Sequence, residues 1–217
     1  MIPAAYLFDL DGTLADTLAD LAIITNWALA RHGLPTHPVE VYRAMVGSGA
    51  QNWVAALAPD AGPALVQTLI AELLERRRTH PPGHTRLYDG VPALLDTLSE
   101  SGARMAVLSN KDHRAAVAMC ADLLGRWSFE AVYGARPEVP LKPDPAAAVA
   151  IAAELGVAPG DVAYLGDTGI DMHTANRAGM VAVGALWGFR DAAELEGAGA
   201  RVLIAHPSEL PAALARL

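Results

Sequence analysis

The sequence predicts an α/β fold, a doubly wound parallel sheet with an inserted α-helical domain, and three observations carry that prediction. Short apolar runs recur along the 217 residues, and each stops at polar or glycine residues. The runs are continuously apolar rather than alternating, which suits strands covered on both faces, and helical patterns separate them as parallel pairing requires. After the first run, roughly 70 residues pass without a good strand, far more than the helix and short loops of an ordinary crossover.

In chain order, Ala5 to Phe8 (AYLF) is the first strand and runs into DLDGT. Helical patterns then cover 16–32, 38–46, 50–57 and 63–78, punctuated by Gly33, Pro35, Gly47, Gly49, Pro59 and Gly62. This reads as a helical domain inserted over 15–86, with Pro81, Pro82 and Gly83 as a hinge back into a core formed by 1–14 and 87–217. VPALLDTLSESG is a helix that ends at Gly102. Strands at Arg104 to Leu108, Val162 to Leu165, Val181 to Leu186 and Arg201 to Ile204 then alternate with helices over 112–123, 144–155, 170–178 and 207–215.

Composition narrows the function. Apolar residues make up 53% and charged residues 18%, ample for a buried core and far from a disordered chain. The net charge of -8 argues against nucleic acid and anionic membranes as partners, because both are held by excess cations. No apolar run reaches about 18 residues without a charge, so no membrane span is expected. Asp9 breaks the first apolar stretch too early for a signal peptide, and the expected location is cytoplasmic. Cys120 is the single cysteine, which excludes an internal disulfide; in AVAMCADLL it reads as a core residue.

In open α/β sheets, ligands bind outside the carboxyl ends of the strands. That rule selects DLDGT, SNK, LKPDP and GDTGID. Asp9 and Asp11 are two apart at a strand end, so both carboxyl groups face one site. Two buried carboxylates repel each other and call for a cation, and a hard divalent ion such as Mg²⁺ suits oxygen ligands. Asp167 and Asp171 add two more carboxyl groups at a later strand end. Thr13, Ser109 and Asn110 supply hydroxyl and amide groups beside helix N-termini, an anion cradle to which Lys142 adds a compact positive charge.

These four segments stand in the order of the motifs of the haloacid dehalogenase-like hydrolases, which the chain resembles over nearly its whole length. The helical insertion after DLDGT is similar to the helical cap of that family. The resemblance implies that Asp9 is a nucleophile forming an aspartyl-phosphate and that Asp11 is general acid, then base. It implies Mg²⁺ held by Asp9, the Asp11 carbonyl oxygen and Asp167, with Asp171 supporting that shell. Thr13, Ser109, Asn110 and Lys142 would hold the phosphoryl group. Asp11 also argues against true dehalogenation, since the dehalogenase members lack that second acid.

A closer resemblance, to the phosphoglycolate phosphatase-like subgroup, rests on LADTLADL, VGSGAQNWV, LYDGVPALLDTLSESG and LWGF. It implies that Gly47, Ser48 and Gly49 of the cap lie over the substrate. A small anionic phosphate ester is then the expected partner, and the chain itself a monomer or homodimer. A pyrophosphatase, a sugar-phosphate phosphatase and β-phosphoglucomutase share the same chemistry. A phospho-aspartate receiver shares the acidic cluster but lacks the insertion. Arg76, Arg77 and Arg78 read as a solvated helix end, His84, Arg86, His113 and His173 as ordinary surface or structure, and Trp187 as packing.

Overall fold

The computed structural model describes residues 2–80 and 83–217. The expected hinge residues Pro81 and Pro82 lie outside the described residues. The core sheet has six parallel strands: β1 (Ala5–Phe8), β4 (Arg104–Asp112), β5 (Ala131–Ala135), β6 (Val162–Gly166), β7 (Val181–Ala185) and β8 (Val202–Ile204). Their spatial order is β5-β4-β1-β6-β7-β8, a Rossmann-like arrangement. The chain winds one way from β1 to β4 and β5, then returns to the other side of β1 for β6, β7 and β8. That reversal makes β1 the switch point, where the connections diverge and leave a crevice.

Each sheet face has its own apolar layer. Phe8, Val107, Leu165 and Val183 pack under α5 (Val91–Glu100), α6 (His113–Leu124) and α10 (Leu210–Ala215). Leu7, Ala106, Tyr164 and Ala182 pack under α7 (Ala146–Glu154), α8 (Gly169–Ala178) and α9 (Ala192–Gly197). Alternation along each strand sends successive side chains to opposite layers, and both layers are dry, which is why the strands read as unbroken apolar runs.

Between β1 and β4 lie α1 (Leu18–Arg31), α2 (Val39–Met45), α3 (Ala50–Leu57) and α4 (Pro63–Thr79). They enclose a third apolar cluster around Leu29, Tyr42, Trp53, Val54, Leu69 and Leu73. Phe189, from the loop after β7, inserts into this cluster. Two short antiparallel strands, β2 (Ala15–Asp16) and β3 (Arg86–Leu87), form the crossing, with Ala15 opposite Leu87 and Asp16 opposite Arg86. Asp20 fastens the crossing further. Its carboxylate accepts from the Gly83, His84 and Thr85 N–H groups and from the Thr85 hydroxyl, the last at 2.6 Å.

The sequence reading missed β5 and α9. β5 is a half-exposed edge strand whose burial neither alternates nor runs continuously. Gly134 belongs there because a Cβ would lie 2.5 Å from His113 Cα. α9 is only six residues long and has one buried side chain, Leu195. No helix among the described residues is long and apolar enough to cross a membrane.

Candidate active site

The site gathers at the carboxyl ends of β1, β4 and β6. The Asp9 N–H donates to Leu165 O at 2.9 Å, so the loop leaving β1 stays in register with β6. Gly12 then turns the chain back with φ of 94°, and Leu14 and Ala15 both donate to Leu10 O. That tight turn keeps Asp9, Asp11 and Thr13 together.

Asp9, Asp167 and Asp171 are buried, and each offers a carboxylate oxygen within 4.8 Å of the others. Lys142 bridges two of them. Its Nζ donates to Asp9 Oδ1 at 2.7 Å, to Asp171 Oδ1 at 2.6 Å and to Leu108 O at 3.2 Å. Asp171 is fully committed: its Oδ2 accepts the N–H and hydroxyl of Thr168, which closes a capping box at the start of α8. Asp167 accepts the Thr13 hydroxyl on Oδ1 and the Phe189 N–H on Oδ2, both at 2.8 Å.

One lysine does not balance three buried carboxylates. Burial raises the Asp9 carboxyl to about 7 against the pull of Lys142, and Asp171 and Asp11 push it the same way. Burial, Asp9 and Asp171 together push Asp167 well above the ordinary range. Asp9 Oδ2 accepts no hydrogen bond among the described residues. Glycines leave the space: a Cβ on Gly12 would lie 2.3 Å from Asp167 Oδ2, and one on Gly188 2.2 Å from Asp167 Cβ. Under-compensated hard oxygens in a cradle without side chains fit a divalent cation such as Mg²⁺.

Asp11 stands apart from that cluster. Lys111 Nζ donates to both of its oxygens, at 2.7 and 2.8 Å. Burial alone would raise the Asp11 carboxyl, but the charges of Lys111 and Arg77 outweigh it and hold it low. Burial brings the Lys111 ammonium down to about 8. The sequence reading assigned Lys111 no role, although the spacing that pairs Asp9 with Asp11 also pairs Ser109 with Lys111.

The other expected phosphate holders are all buried here. Ser109 lines the cavity, and its Oγ accepts the Lys111 N–H at 3.3 Å. Asn110 is used as a stitch: its amide donates to Gly47 O and Lys142 O, and its oxygen accepts the Lys142 N–H. The Thr13 hydroxyl, expected at the phosphoryl group, donates to Asp167 Oδ1 and orients that carboxylate.

A cavity of about 80 Å³ separates these groups from the inserted helices. Gly47 and Gly49 line it. Both have positive φ, 108° and 86°, and their missing side chains let the loop approach Thr168 and Leu141. Ser48 is not among the lining residues. Its hydroxyl donates to Met45 O at 3.0 Å and its carbonyl accepts from Asn52, which turns it into its own helices. Arg77 also corrects the sequence reading, since it lines the cavity rather than belonging to a solvated end. Trp187 packs as expected and in addition donates to Thr13 O at 2.9 Å.

The comparisons agree with this geometry. The haloacid dehalogenase-like hydrolase family matches residues 3–179. A phosphoglycolate phosphatase of Xanthomonas campestris pv. campestris (strain 8004) is 32% identical over 188 residues, covering 87% of this chain and 85% of its own. The N-acetylmuramic acid 6-phosphate phosphatase of Pseudomonas aeruginosa is 34% identical over 211 residues, covering 95% and 92%. A solved structure from Lactobacillus delbrueckii subsp. bulgaricus superimposes with a TM-score of 0.85 at 29% identity, covering 97% of both chains. With most of its length matched by the family model and relatives above 30% identity covering more than four fifths of it, the chain belongs to the haloacid dehalogenase-like hydrolases.

Proposed function

We propose that this protein is a Mg²⁺-dependent cytoplasmic phosphomonoesterase, that residues 15–86 act as its cap over a core of 1–14 and 87–217, and that 2-phosphoglycolate is its substrate. The observation that carries the reading is the convergence of Asp9, Asp11, Asp167 and Lys142 at the switch point of the sheet. The phosphatase names of the relatives support it, and Lys111, Lys142 and Arg77 place cations in the cleft where a small anionic ester would sit.

The Asp9 carboxylate attacks phosphorus and forms the aspartyl-phosphate as the bond to the leaving oxygen breaks. Asp11 gives that oxygen its proton. A water then attacks phosphorus, passes a proton to Asp11, and phosphate leaves with Asp9 restored. Lys142 holds Asp9 and stands ready for a phosphoryl oxygen, with Ser109 beside it. Asp9, the Asp11 carbonyl oxygen and Asp167 would hold Mg²⁺, supported by Asp171. The metal supplies positive charge for the phosphoryl oxygens.

An incoming dianion competes with Asp11 for Lys111. A buried Asp11 that loses this partner moves toward its protonated form, the form a general acid needs. A cavity of about 80 Å³ favours a small substrate. A second reading, N-acetylmuramic acid 6-phosphate, is favoured by the fuller coverage of that relative and requires the cap to open.

Phosphate release from 2-phosphoglycolate, with Mg²⁺ and with chelator, tests the reading against Asp9→Asn. The parent should turn over only with Mg²⁺, and the variant should be inactive. Full turnover by Asp9→Asn would remove the nucleophile from the scheme.

A further inference from the structure

The cleft has two unlike walls. The floor carries Asp9, Asp11, Lys111 and Lys142. The roof, from α1, α3 and α4, is built of Leu21, Ile24, Trp53, Ile70 and Leu73. A single charged side chain interrupts that apolar roof: Arg77, in the last turn of α4.

Its neighbours on the helix are already engaged elsewhere. The Arg76 guanidinium sits over the Trp27 ring at 4.7 Å, and Arg78 pairs with Glu75 at 2.6 Å. Arg77 has no hydrogen bond or ion pair among the described residues. Its charge acts across the cleft on Asp11 and Lys111. Lys111 and Asp11 pair with each other, and Asp112, also in the lining, accepts the Ala115 N–H at the start of α6, so Arg77 is the cation of this cleft that has no side-chain partner among the described residues. Arg77 is half-buried beside those apolar walls, and an anion entering the cleft would supply the partner it lacks. Its planar fork matches a carboxylate with two parallel hydrogen bonds, in a geometry an ammonium lacks.

We propose that Arg77 determines specificity by pairing with a carboxylate on the alcohol portion of the ester, which makes the substrate class phosphate monoesters whose leaving alcohol is itself an acid. This deepens the phosphatase reading and rests on it. The apolar roof covers the carbon skeleton between the two anionic ends. Phosphate binds at Lys142 and the carboxylate at Arg77, so the ester is read at both ends.

The test uses matched pairs on the Mg²⁺-loaded enzyme. 2-Phosphoglycolate is compared with ethyl phosphate, the same length without the carboxylate. N-Acetylmuramic acid 6-phosphate is compared with N-acetylglucosamine 6-phosphate, which lacks the acidic side group. Wild type should prefer the acidic member of at least one pair. In Arg77→Ala the acidic-to-neutral ratio of kcat/KM for that pair should fall about 10- to 100-fold, the span of a charge-assisted hydrogen bond. Arg77→Lys should recover part of the loss, because it keeps charge without the fork. Hydrolysis with no acidic preference in wild type, or a ratio unchanged in Arg77→Ala, overturns the role of Arg77 and leaves the phosphatase reading standing. Absence of Asp9-dependent phosphate release from all four esters overturns both.

Discussion

The Lys111 ammonium lies 2.7 Å from Asp11 Oδ1 and 2.8 Å from Oδ2, and both side chains are almost out of solvent. Removing one member of such a pair leaves the other buried and unmatched. Lys111→Gln should lower stability by about 3 kcal/mol near neutral pH. The loss should shrink as pH falls from neutral toward about 4, because burial raises an Asp11 carboxyl that has lost Lys111 and lets it take up a proton and discard its charge. Urea denaturation at both pH values checks this, and an equal loss at both would show that Asp11 does not carry the effect.

A second expectation concerns protons and metal. Burial raises the Asp9 carboxyl to about 7, against an ordinary value near 4. The folded state therefore favours its protonated form. That contribution to stability is complete below about pH 4 and lost as pH climbs through about 7. Asp167 moves in the same direction. Through these two groups, metal-free protein should melt lower at about pH 8 than at about pH 5.5. Millimolar Mg²⁺ should raise the melting temperature most at the higher pH, since carboxylate ligands must first lose their protons. A Mg²⁺ effect that is the same at both pH values would contradict the acidic cluster as its site.

Gly188 tests the shape of that cluster. A Cβ there would lie 2.2 Å from Asp167 Cβ, closer than carbon atoms tolerate. Gly188→Ala should push Asp167 from the Thr13 hydroxyl and the Phe189 N–H, and weaken Mg²⁺ binding about tenfold or more. Calorimetric titration with Mg²⁺ reads this directly. Unchanged affinity would mean that Asp167 is not a ligand.

Arg190 offers a handle on the closed cleft. Its guanidinium donates to the carbonyls of Arg43, Ala44 and Val46 at the end of α2, and Arg43 donates back to Gly188 O at 2.9 Å. Arg190→Ala should loosen the 43–49 segment over the cavity. Faster amide exchange there, together with a higher KM, is the expected outcome. Unaltered exchange would show that the Phe189 insertion alone keeps the segment seated.

Much of this arrangement is legible in the residues because the sheet is dry on both sides. Leu7 and Phe8 belong to different apolar layers, yet both must be apolar, so β1, β6 and β7 announce themselves. Asp9, Asp11 and Asp167 stand out because charge at the end of such a run needs a reason, and Lys142 stands out through its LKPDP setting. Pairings between distant segments are a different matter. Nothing near Arg77 marks it off from Arg76 and Arg78; only the packing of α4 against α1 and α3 decides which one enters the cleft. Thr13 looks like an anion ligand until Asp167, 154 positions away, proves to accept its hydroxyl. Local periodicity carries no information about which acceptor a buried donor meets.

The chain leaves the sheet at Ala15 and returns at Leu87, and those two residues face each other in the β2–β3 pair. Departure and re-entry are thus one place. The chain enters and leaves everything between them at one crossing, and the six-stranded ladder takes no strand from it. Descent with modification can therefore lengthen, shorten or exchange that appendage and acquire a taste for a new alcohol while the phosphorus chemistry beneath goes on unchanged. On the proposed reading, the reaction then lies in one part of the gene and the choice of substrate in another.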